Sequence, residues 1–136
     1  MSDGVGTYTL FFDGCSKGNP GKAGAGAVLY NNDTEVWCRA HYIGDKQTNN
    51  YAEYMGLIIG LEEAVKQNIK SLIVKGDSLL VIRQMKGEYK VKSENILELY
   101  KTAEQLAKRI STIEFIHVYR KNNKRADALS NEALLM

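Results

Sequence analysis

Four acidic residues are the candidate catalytic side chains of this chain, and each lies in a different local sequence context. Asp13 follows LFF, Glu53 lies in TNNYAEY, Asp77 in IVKGDS and Asp127 in KRADALS. They are separated by 40, 24 and 50 positions, so only a tertiary fold could bring them together. Converging carboxylates repel one another unless cations lie between them, and oxygen ligands favour Mg²⁺, with Mn²⁺ able to substitute. The set therefore predicts a metal-dependent phosphodiester enzyme.

Each acid also has an ordinary structural explanation. Asp13 could begin a turn, and Asp77 could cap the helix that follows it. Glu53 has the spacing of a capping box, and Asp127 lies where a helix dipole favours negative charge. Glu53 nevertheless falls on the apolar face of its predicted helix, where an unpaired carboxylate is costly. Because Asp13 and Asp77 are both expected at strand ends, convergence is the better interpretation.

Composition and length set the class of protein. The 136 residues predict a single domain over 1–136, and 44% hydrophobic with 25% charged residues is ordinary for a globular protein. A net charge of +2 permits a nucleic-acid partner without requiring one. Cys15 and Cys38 lack the spacing of a disulfide framework or a zinc site. With no targeting or membrane-spanning segment in the sequence, we expect a cytoplasmic monomer, or a nuclear one in a eukaryote, and no membrane partner.

Hydrophobic periodicity and turn residues predict the elements that must position the acids. A glycine-rich loop is predicted over 16–26, and a tight connection over 31–33. The predicted strands are 7–12, 26–30, 34–42, 71–77 and 112–119. The predicted helices are 49–68, 78–87, 96–110 and 124–134. An antiparallel meander followed by crossover units indicates an α/β fold, with helices on the faces of a mixed sheet.

Four separated blocks of the sequence resemble a known family. DGCSKGNPG, TNNYAEY, KGDSLLVIRQM and HVYRKNNKRADALSNEAL are similar to the four motif blocks of type 1 ribonucleases H, in the family's order. The resemblance implies a five-stranded mixed sheet in the order 3-2-1-4-5 flanked by helices, which agrees with the predicted elements. The likeness is closest to the compact branch without a basic protrusion or hybrid-binding domain. The residues that match the last block of this branch are Val118, Arg120, Asn123, Ala126 and Asp127.

The resemblance also implies a reaction. It is the endonucleolytic hydrolysis of the RNA strand of RNA/DNA hybrids with two metal ions, which leaves 5′-phosphate and 3′-hydroxyl ends. By the same resemblance Asp13 bridges both ions and Asp127 helps to hold the ion that activates water. Glu53 and Asp77 complete the other ion's ligands.

Uncharged groups around the acids are expected to determine substrate specificity, because amides can hydrogen-bond to the 2′-hydroxyls of a shallow minor groove. Four positions match family residues that contact the hybrid: Asn19, Asn49, Asn50 and Gln84. Gly14 is expected to let the loop approach the nucleic-acid backbone closely, because it has no side chain. Helix capping is the alternative for Asn49 and Asn50, and an Asn-Pro turn for Asn19. Lys90 and Lys92, in the 85–95 connection between two helices, either contact DNA phosphates or belong to a solvated loop.

Two residues compete for an auxiliary catalytic role. His117 has the family's spacing before the last acid, but it alternates within a predicted strand, whereas Arg120 lies in the following loop. We therefore favour Arg120 and keep His117 as the alternative. Two other functions also stay open: a non-catalytic ribonuclease-H-like nucleic-acid-binding domain, and a nuclease of the same fold that acts on duplex RNA or DNA. The presence of all four acids favours catalysis.

Overall fold

A five-stranded mixed sheet in the order β3-β2-β1-β4-β5 organises residues 6–136, which are the residues described by this computed structural model. The strands are β1 (Tyr8–Lys17), β2 (Gly21–Asn31), β3 (Thr34–Gln47), β4 (Ser71–Gly76) and β5 (Thr112–His117). The helices are α1 (Asn49–Lys66), α2 (Leu79–Met85), α3 (Glu94–Lys108) and α4 (Lys124–Glu132). Single 3₁₀ turns precede and follow α4, at Arg120–Asn122 and Ala133–Leu135. The predicted fold class and strand order are confirmed.

The central strand β1 has different partners along its two sides. It pairs with β2 antiparallel over its full length, from Tyr8 to Lys17. Its parallel pairing with β4 covers only Tyr8 to Phe12. Asp13 is therefore the first residue of β1 with no strand beside it on the β4 side. Because β4 ends at Gly76, the sheet opens there and leaves room for side chains.

Two sequence expectations about this region are wrong. Asp13 does not end a strand or begin a turn, since β1 continues to Lys17. The predicted glycine-rich loop over 16–26 is mostly strand, and its turn is confined to residues 18–20 between β1 and β2. Small residues have low strand propensity in general, but 23–29 are buried here between the helices that cover the two faces. Tertiary packing therefore overrides the local preference.

Helix α1 fills one face of the sheet. Its apolar side buries Tyr54, Leu57 and Leu61, which join Leu10 and Phe12 of β1 in the main core. The side chain of Thr48 caps α1 by accepting a hydrogen bond of 3.2 Å from the amide of Tyr51. The capping role considered for Asn49 and Asn50 thus belongs to Thr48. None of the helices within residues 6–136 has the length and apolarity needed to cross a membrane.

Helix α4 covers the opposite face and approaches β2 closely. A Cβ atom added at Gly24 would lie 2.4 Å from the carbonyl oxygen of Ser130, and one at Gly26 would lie 2.5 Å from that of Ala126. Neither distance is compatible with a side chain, so only glycine allows this helix to lie so near the sheet. This packing sets the position of Asp127 in the first turn of α4.

Candidate active site

The four predicted acids come from four different elements that meet where the sheet opens. Asp13 lies in β1 just past its pairing with β4, and Asp77 directly follows β4. Glu53 projects from the second turn of α1, and Asp127 from the first turn of α4. Carboxylate oxygens of Asp13, Glu53 and Asp77 lie within 4.8 Å of one another. Asp127 lies outside this triplet.

A hollow of about 350 Å³ contains all four acids. We call it the acidic hollow. Its lining also includes Gly14, Ser16, Asn49, Arg120 and Asn131. Three carboxylates that share one small space, with a fourth on its wall, form a set of oxygen donors of the kind that hard divalent cations prefer.

Gly14 permits the contact between β1 and α1 at the acidic hollow. A Cβ atom at Gly14 would lie 2.2 Å from the carbonyl carbon of Ala52 and 2.3 Å from the amide nitrogen of Glu53. The backbones of the two elements therefore touch where their acids converge. The amide of Gly14 also donates a hydrogen bond of 2.9 Å to Oδ1 of Asp13, which fixes the rotation of that carboxylate.

Burial and mutual repulsion make the triplet costly when it is ionised. Asp13 is 4% exposed, and its pKa is raised to about 7, first by burial and then by the charge of Asp77. The pKa of Glu53 is raised well above its ordinary value by burial, and further by Asp13 and Asp77. One oxygen of Glu53, Oε1, is buried without a hydrogen-bond partner. A cation between these groups would satisfy that oxygen and remove the repulsion, so the residues present fit a metal site.

This electrostatic cost predicts how stability depends on pH when divalent ions are absent. The pKa of Asp13 in the folded protein, about 7, exceeds the ordinary value of 3.8, so the folded state binds more protons between these limits. The free energy of unfolding should therefore fall as the pH rises through this window, by up to about 4 kcal/mol from this group. Urea unfolding in EDTA at pH 5 and pH 8 measures the effect. A more stable protein at pH 8, or an equal slope in Asp13→Asn, would contradict the assignment.

Comparisons with known proteins place this geometry in a family. A family model described as reverse transcriptase-like matches residues 11–133. The ribonuclease H of Pseudomonas fluorescens is 32% identical over 150 aligned residues, which cover 98% of this chain and 94% of that protein. The chain belongs to the type 1 ribonuclease H family. The ribonuclease HI of Halobacterium salinarum is 36% identical over 132 residues, covering 97% of this chain and 66% of that protein.

A second group of relatives is longer than this chain. A bifunctional protein of Mycobacterium tuberculosis is 44% identical over 123 residues, which cover 90% of this chain but 34% of that protein. The chain thus spans about a third of that relative's length. The solved N-terminal ribonuclease H domain of the same mycobacterial protein superposes with a TM-score of 0.92 at 42% identity, covering 96% of this chain and 94% of that one.

Solved structures of ribonuclease H1 proteins are also similar to this chain, among them a complex with nucleic acid. The LC11 ribonuclease H1, solved in complex with an RNA/DNA hybrid, has a TM-score of 0.87 at 33% identity and covers 94% of this chain and 96% of that one. The ribonuclease H1 of Halobacterium salinarum has a TM-score of 0.89 at 38% identity, with 95% and 98% coverage. The ribonuclease H fold is therefore common to this chain and to a relative that binds a hybrid.

Two asparagines in the last block hold the acids of this ribonuclease H domain. The side-chain amide of Asn123 donates to Oδ2 of Asp77 at 3.2 Å and to the carbonyl oxygen of Phe12 at 2.9 Å. Asn131 donates to the carbonyl oxygen of Asp127 at 2.9 Å and to its Oδ1 at 3.3 Å. Asn123 was predicted only as part of a motif, and Asn131 was not predicted. The spacing of Asn131, one helical turn after Asp127, was the available signal.

The two auxiliary candidates occupy different environments. Arg120 lies in the 3₁₀ turn before α4, is 80% exposed, and its guanidinium is 3.7 Å from Oδ1 of Asp127. His117 lies in β5 as its alternation predicted, although the strand ends at this residue rather than at 119, and its ring packs edge-on against Tyr119. Only Arg120 is among the residues that line the acidic hollow. The geometry places Arg120 beside an acid and leaves His117 within the sheet.

The predicted asparagine contacts divide into two groups. Asn49 lines the acidic hollow, and its Oδ1 accepts a hydrogen bond of 2.8 Å from the amide of Ser16. Asn19 lies in the turn between β1 and β2, and its Oδ1 accepts from the amide of Asn49 at 2.9 Å. Asn19 and Asn50 are exposed and are not among the residues that line the hollow. Asn19 therefore ties the turn to the start of α1.

Gln84, for which a substrate contact is predicted, is buried and makes hydrogen bonds within the fold. It is 6% exposed, and its Oε1 accepts a hydrogen bond of 2.7 Å from the hydroxyl of Tyr54. Its amide donates to the carbonyl oxygen of Lys90 at 3.4 Å. Gln84 thus anchors the connection between α2 and α3. Lys90 and Lys92 are exposed on that connection and lie outside the hollow's lining.

Proposed function

We propose that this chain is an endoribonuclease that hydrolyses the RNA strand of RNA/DNA hybrids and leaves 5′-phosphate and 3′-hydroxyl ends. The observation that carries the proposal is the convergence of Asp13, Glu53 and Asp77, with a buried oxygen of Glu53 unpartnered. Membership of the type 1 ribonuclease H family supports the reaction. The relative solved with a hybrid supports the substrate.

Two Mg²⁺ ions, for which Mn²⁺ can substitute, are the proposed cofactors. Asp13, Glu53 and Asp77 would hold them, together with Asp127. When bound, such ions lower the pKa of a water molecule and stabilise negative charge on the phosphate. The chain's own groups set the carboxylate orientations: the amide of Gly14 holds Asp13, and Asn123 holds Asp77.

The substrate is proposed to lie across the acidic hollow. Asn49 on its wall, with Asn19 and Asn50 on the adjoining surface, can meet 2′-hydroxyl groups through amides that both donate and accept. Lys90 and Lys92 extend from the connection that Gln84 anchors, at a place where phosphates of the DNA strand can be bound.

One assay tests the proposal against its alternatives. Labelled RNA/DNA hybrid, duplex RNA and duplex DNA are incubated with the protein in Mg²⁺, in Mn²⁺ and in EDTA. We expect cleavage of the RNA strand of the hybrid alone, and none in EDTA. Equal cutting of either duplex would assign a different nuclease specificity. Hybrid binding without cleavage would assign a non-catalytic binding domain.

Arg120 is the proposed auxiliary group, because its guanidinium lies beside Asp127 at the hollow and can stabilise charge on the phosphate. We expect Arg120→Gln to lower kcat about tenfold or more with a smaller change in KM. His117→Ala is the matched comparison and should retain kcat within about threefold. The reverse order of the two kcat values would assign the role to His117.

Two further expectations belong to the same proposal. The domain is proposed to act as a monomer, and in the cytoplasm. Light scattering of the purified chain tests the first, and cell fractionation tests the second.

A further inference from the structure

A second cavity lies beside the acidic hollow, and apart from Asn123, which holds Asp77, its lining has no part in the chemistry described above. Its volume is about 400 Å³. It is bounded by β1, β2 and β4 on the sheet face that α4 covers, and by residues 121–126. We call it the lysine cavity. Residues 121–126 line the lysine cavity, while the flanking Arg120 and Asp127 line the acidic hollow, so one short segment separates the two.

The charge of the lysine cavity favours an anion. Lys75, Lys121 and Lys124 line it, and none of the three forms an ion pair within residues 6–136. Arg125, a fourth basic residue of the lining, is already paired with Glu35 at 3.0 Å. The lining includes one carboxylate, that of Asp33. Three ammonium groups without ion pairs, against one carboxylate, leave the concavity positively charged and attract phosphate oxygens.

The floor of the lysine cavity is aromatic. Phe11 and Tyr30 are half-buried and meet edge to face, with ring centroids 5.7 Å apart. The ammonium of Lys75 lies 5.6 Å from the centroid of the Phe11 ring. Because the two rings are nearly perpendicular, a flat π-system can stack on one of them and meet the other at its edge, while a charged group attached to it reaches the lysines.

Two polar features of the lining also lack partners. Oδ1 of Asn123 is buried and accepts no hydrogen bond, although Asn123 is 1% exposed. The first turn of α4 begins at Lys124 without a side-chain cap, and positive potential at a helix start favours phosphate. The cavity therefore combines an unused acceptor with a cationic rim.

We propose that the lysine cavity binds a nucleotide, with the base stacked on one of the Phe11 and Tyr30 rings and in edge contact with the other, and with the 5′-phosphate on Lys75, Lys121 and Lys124. Its volume falls within the range of about 300–1,000 Å³ that is usual for small-molecule sites. The occupant is either a free nucleoside 5′-phosphate or the phosphorylated 5′ end of a short strand, since both present the same chemistry. The site goes beyond the proposed nuclease function and does not depend on it.

Calorimetric titration of the whole chain in EDTA, with AMP as the probe, tests the site. We expect a Kd of about 1 mM or lower for AMP, and binding at least about tenfold weaker for adenosine and for inorganic phosphate. The double variant Lys75→Gln/Lys124→Gln should weaken AMP binding at least about tenfold. Lys101→Gln/Lys108→Gln, on the exposed face of α3, is the matched control and should leave the Kd unchanged. Circular dichroism checks that both variants are folded.

Two further titrations distinguish free nucleotides from strand ends as the ligand, and show which of the two sites binds it. A tetraribonucleotide with a 5′-phosphate should bind as AMP does if strand ends are accepted, and one with a 5′-hydroxyl should not. Weaker binding of the phosphorylated strand than of AMP would assign the cavity to free nucleotides. Asp13→Asn should leave AMP binding unchanged, because Asp13 lines the other site. No saturation by AMP, equal binding of inorganic phosphate, or loss of binding in Asp13→Asn would overturn the proposal, whatever the nuclease assay shows.

Discussion

Asp13→Asn is expected to lower the rate of hybrid cleavage by at least about 1,000-fold while making the metal-free protein more stable. Asp13 belongs to the carboxylate triplet and lies in β1 directly after the last residue that pairs with β4. Loss of its charge removes ligand strength for the cations, and a 1,000-fold loss corresponds to about 4 kcal/mol of transition-state stabilisation. The asparagine amide oxygen can still accept the hydrogen bond from Gly14, so the backbone should stay in place.

The gain in stability follows from the same burial that raises the pKa of Asp13 to about 7. At pH 8 in EDTA the wild-type protein holds this carboxylate ionised beside Asp77, and the neutral amide avoids that cost. We expect a rise of about 1–3 kcal/mol in the free energy of unfolding. Single-turnover cleavage and urea unfolding measure the two effects. Asp45→Asn, an exposed acid of β3, should change neither. A destabilised Asp13→Asn protein would contradict the electrostatic account.

Gly14→Ala is expected to lower the free energy of unfolding more than any other single methyl group added at the acidic hollow. The added Cβ would lie 2.2 Å from the carbonyl carbon of Ala52 and 2.3 Å from the amide nitrogen of Glu53, and backbone atoms cannot rotate away. Either α1 or β1 must move, at a cost of about 3 kcal/mol or more. The same movement draws Glu53 away from Asp13. We therefore expect lower thermal stability and also weaker cation binding by the folded fraction, which calorimetry at low temperature can measure.

Gly44→Ala is the matched control for that methyl. Gly44 belongs to β3 of the same sheet, and a Cβ atom there would meet nothing within 4 Å. We expect its unfolding free energy to lie within about 0.5 kcal/mol of wild type. If Gly14→Ala were as stable as this control and bound cations equally well, contact between β1 and α1 would not be what positions Glu53.

The parts of this fold that depend on local pattern could be predicted from the amino-acid sequence. Periodicity indicated that Glu53 lies on the buried side of α1, and Glu53 is in fact buried beside Leu57 and Leu61. The elements of the meander and the crossovers appear in the expected order. The start of β2 was predicted at residue 26, whereas the strand begins at Gly21. Small residues indicate a loop unless their burial between two helices is known in advance.

The remaining features depend on contacts between residues far apart in sequence. Asn123 holds Asp77 across 46 positions, and the hydroxyl of Tyr54 reaches Gln84 across 30. No periodicity encodes such pairs, so the hydrogen bonds by which Gln84 anchors the connection between α2 and α3 were not predicted. The lysine cavity is a similar case, since Lys75 and Lys124 become neighbours only when β4 and α4 are placed on the sheet.

Gly24 and Gly26 determine how far Asp127 lies from the other three acids, although neither glycine has a chemical function. A methyl group at either one would push α4 outward and carry Asp127 away from the other three acids. Such a change could persist only with a compensating shift at Ala126 or Ser130. Evolutionary drift in β2 should consequently be coupled to drift in α4, because residues of β2 set the position of Asp127 without lining the acidic hollow.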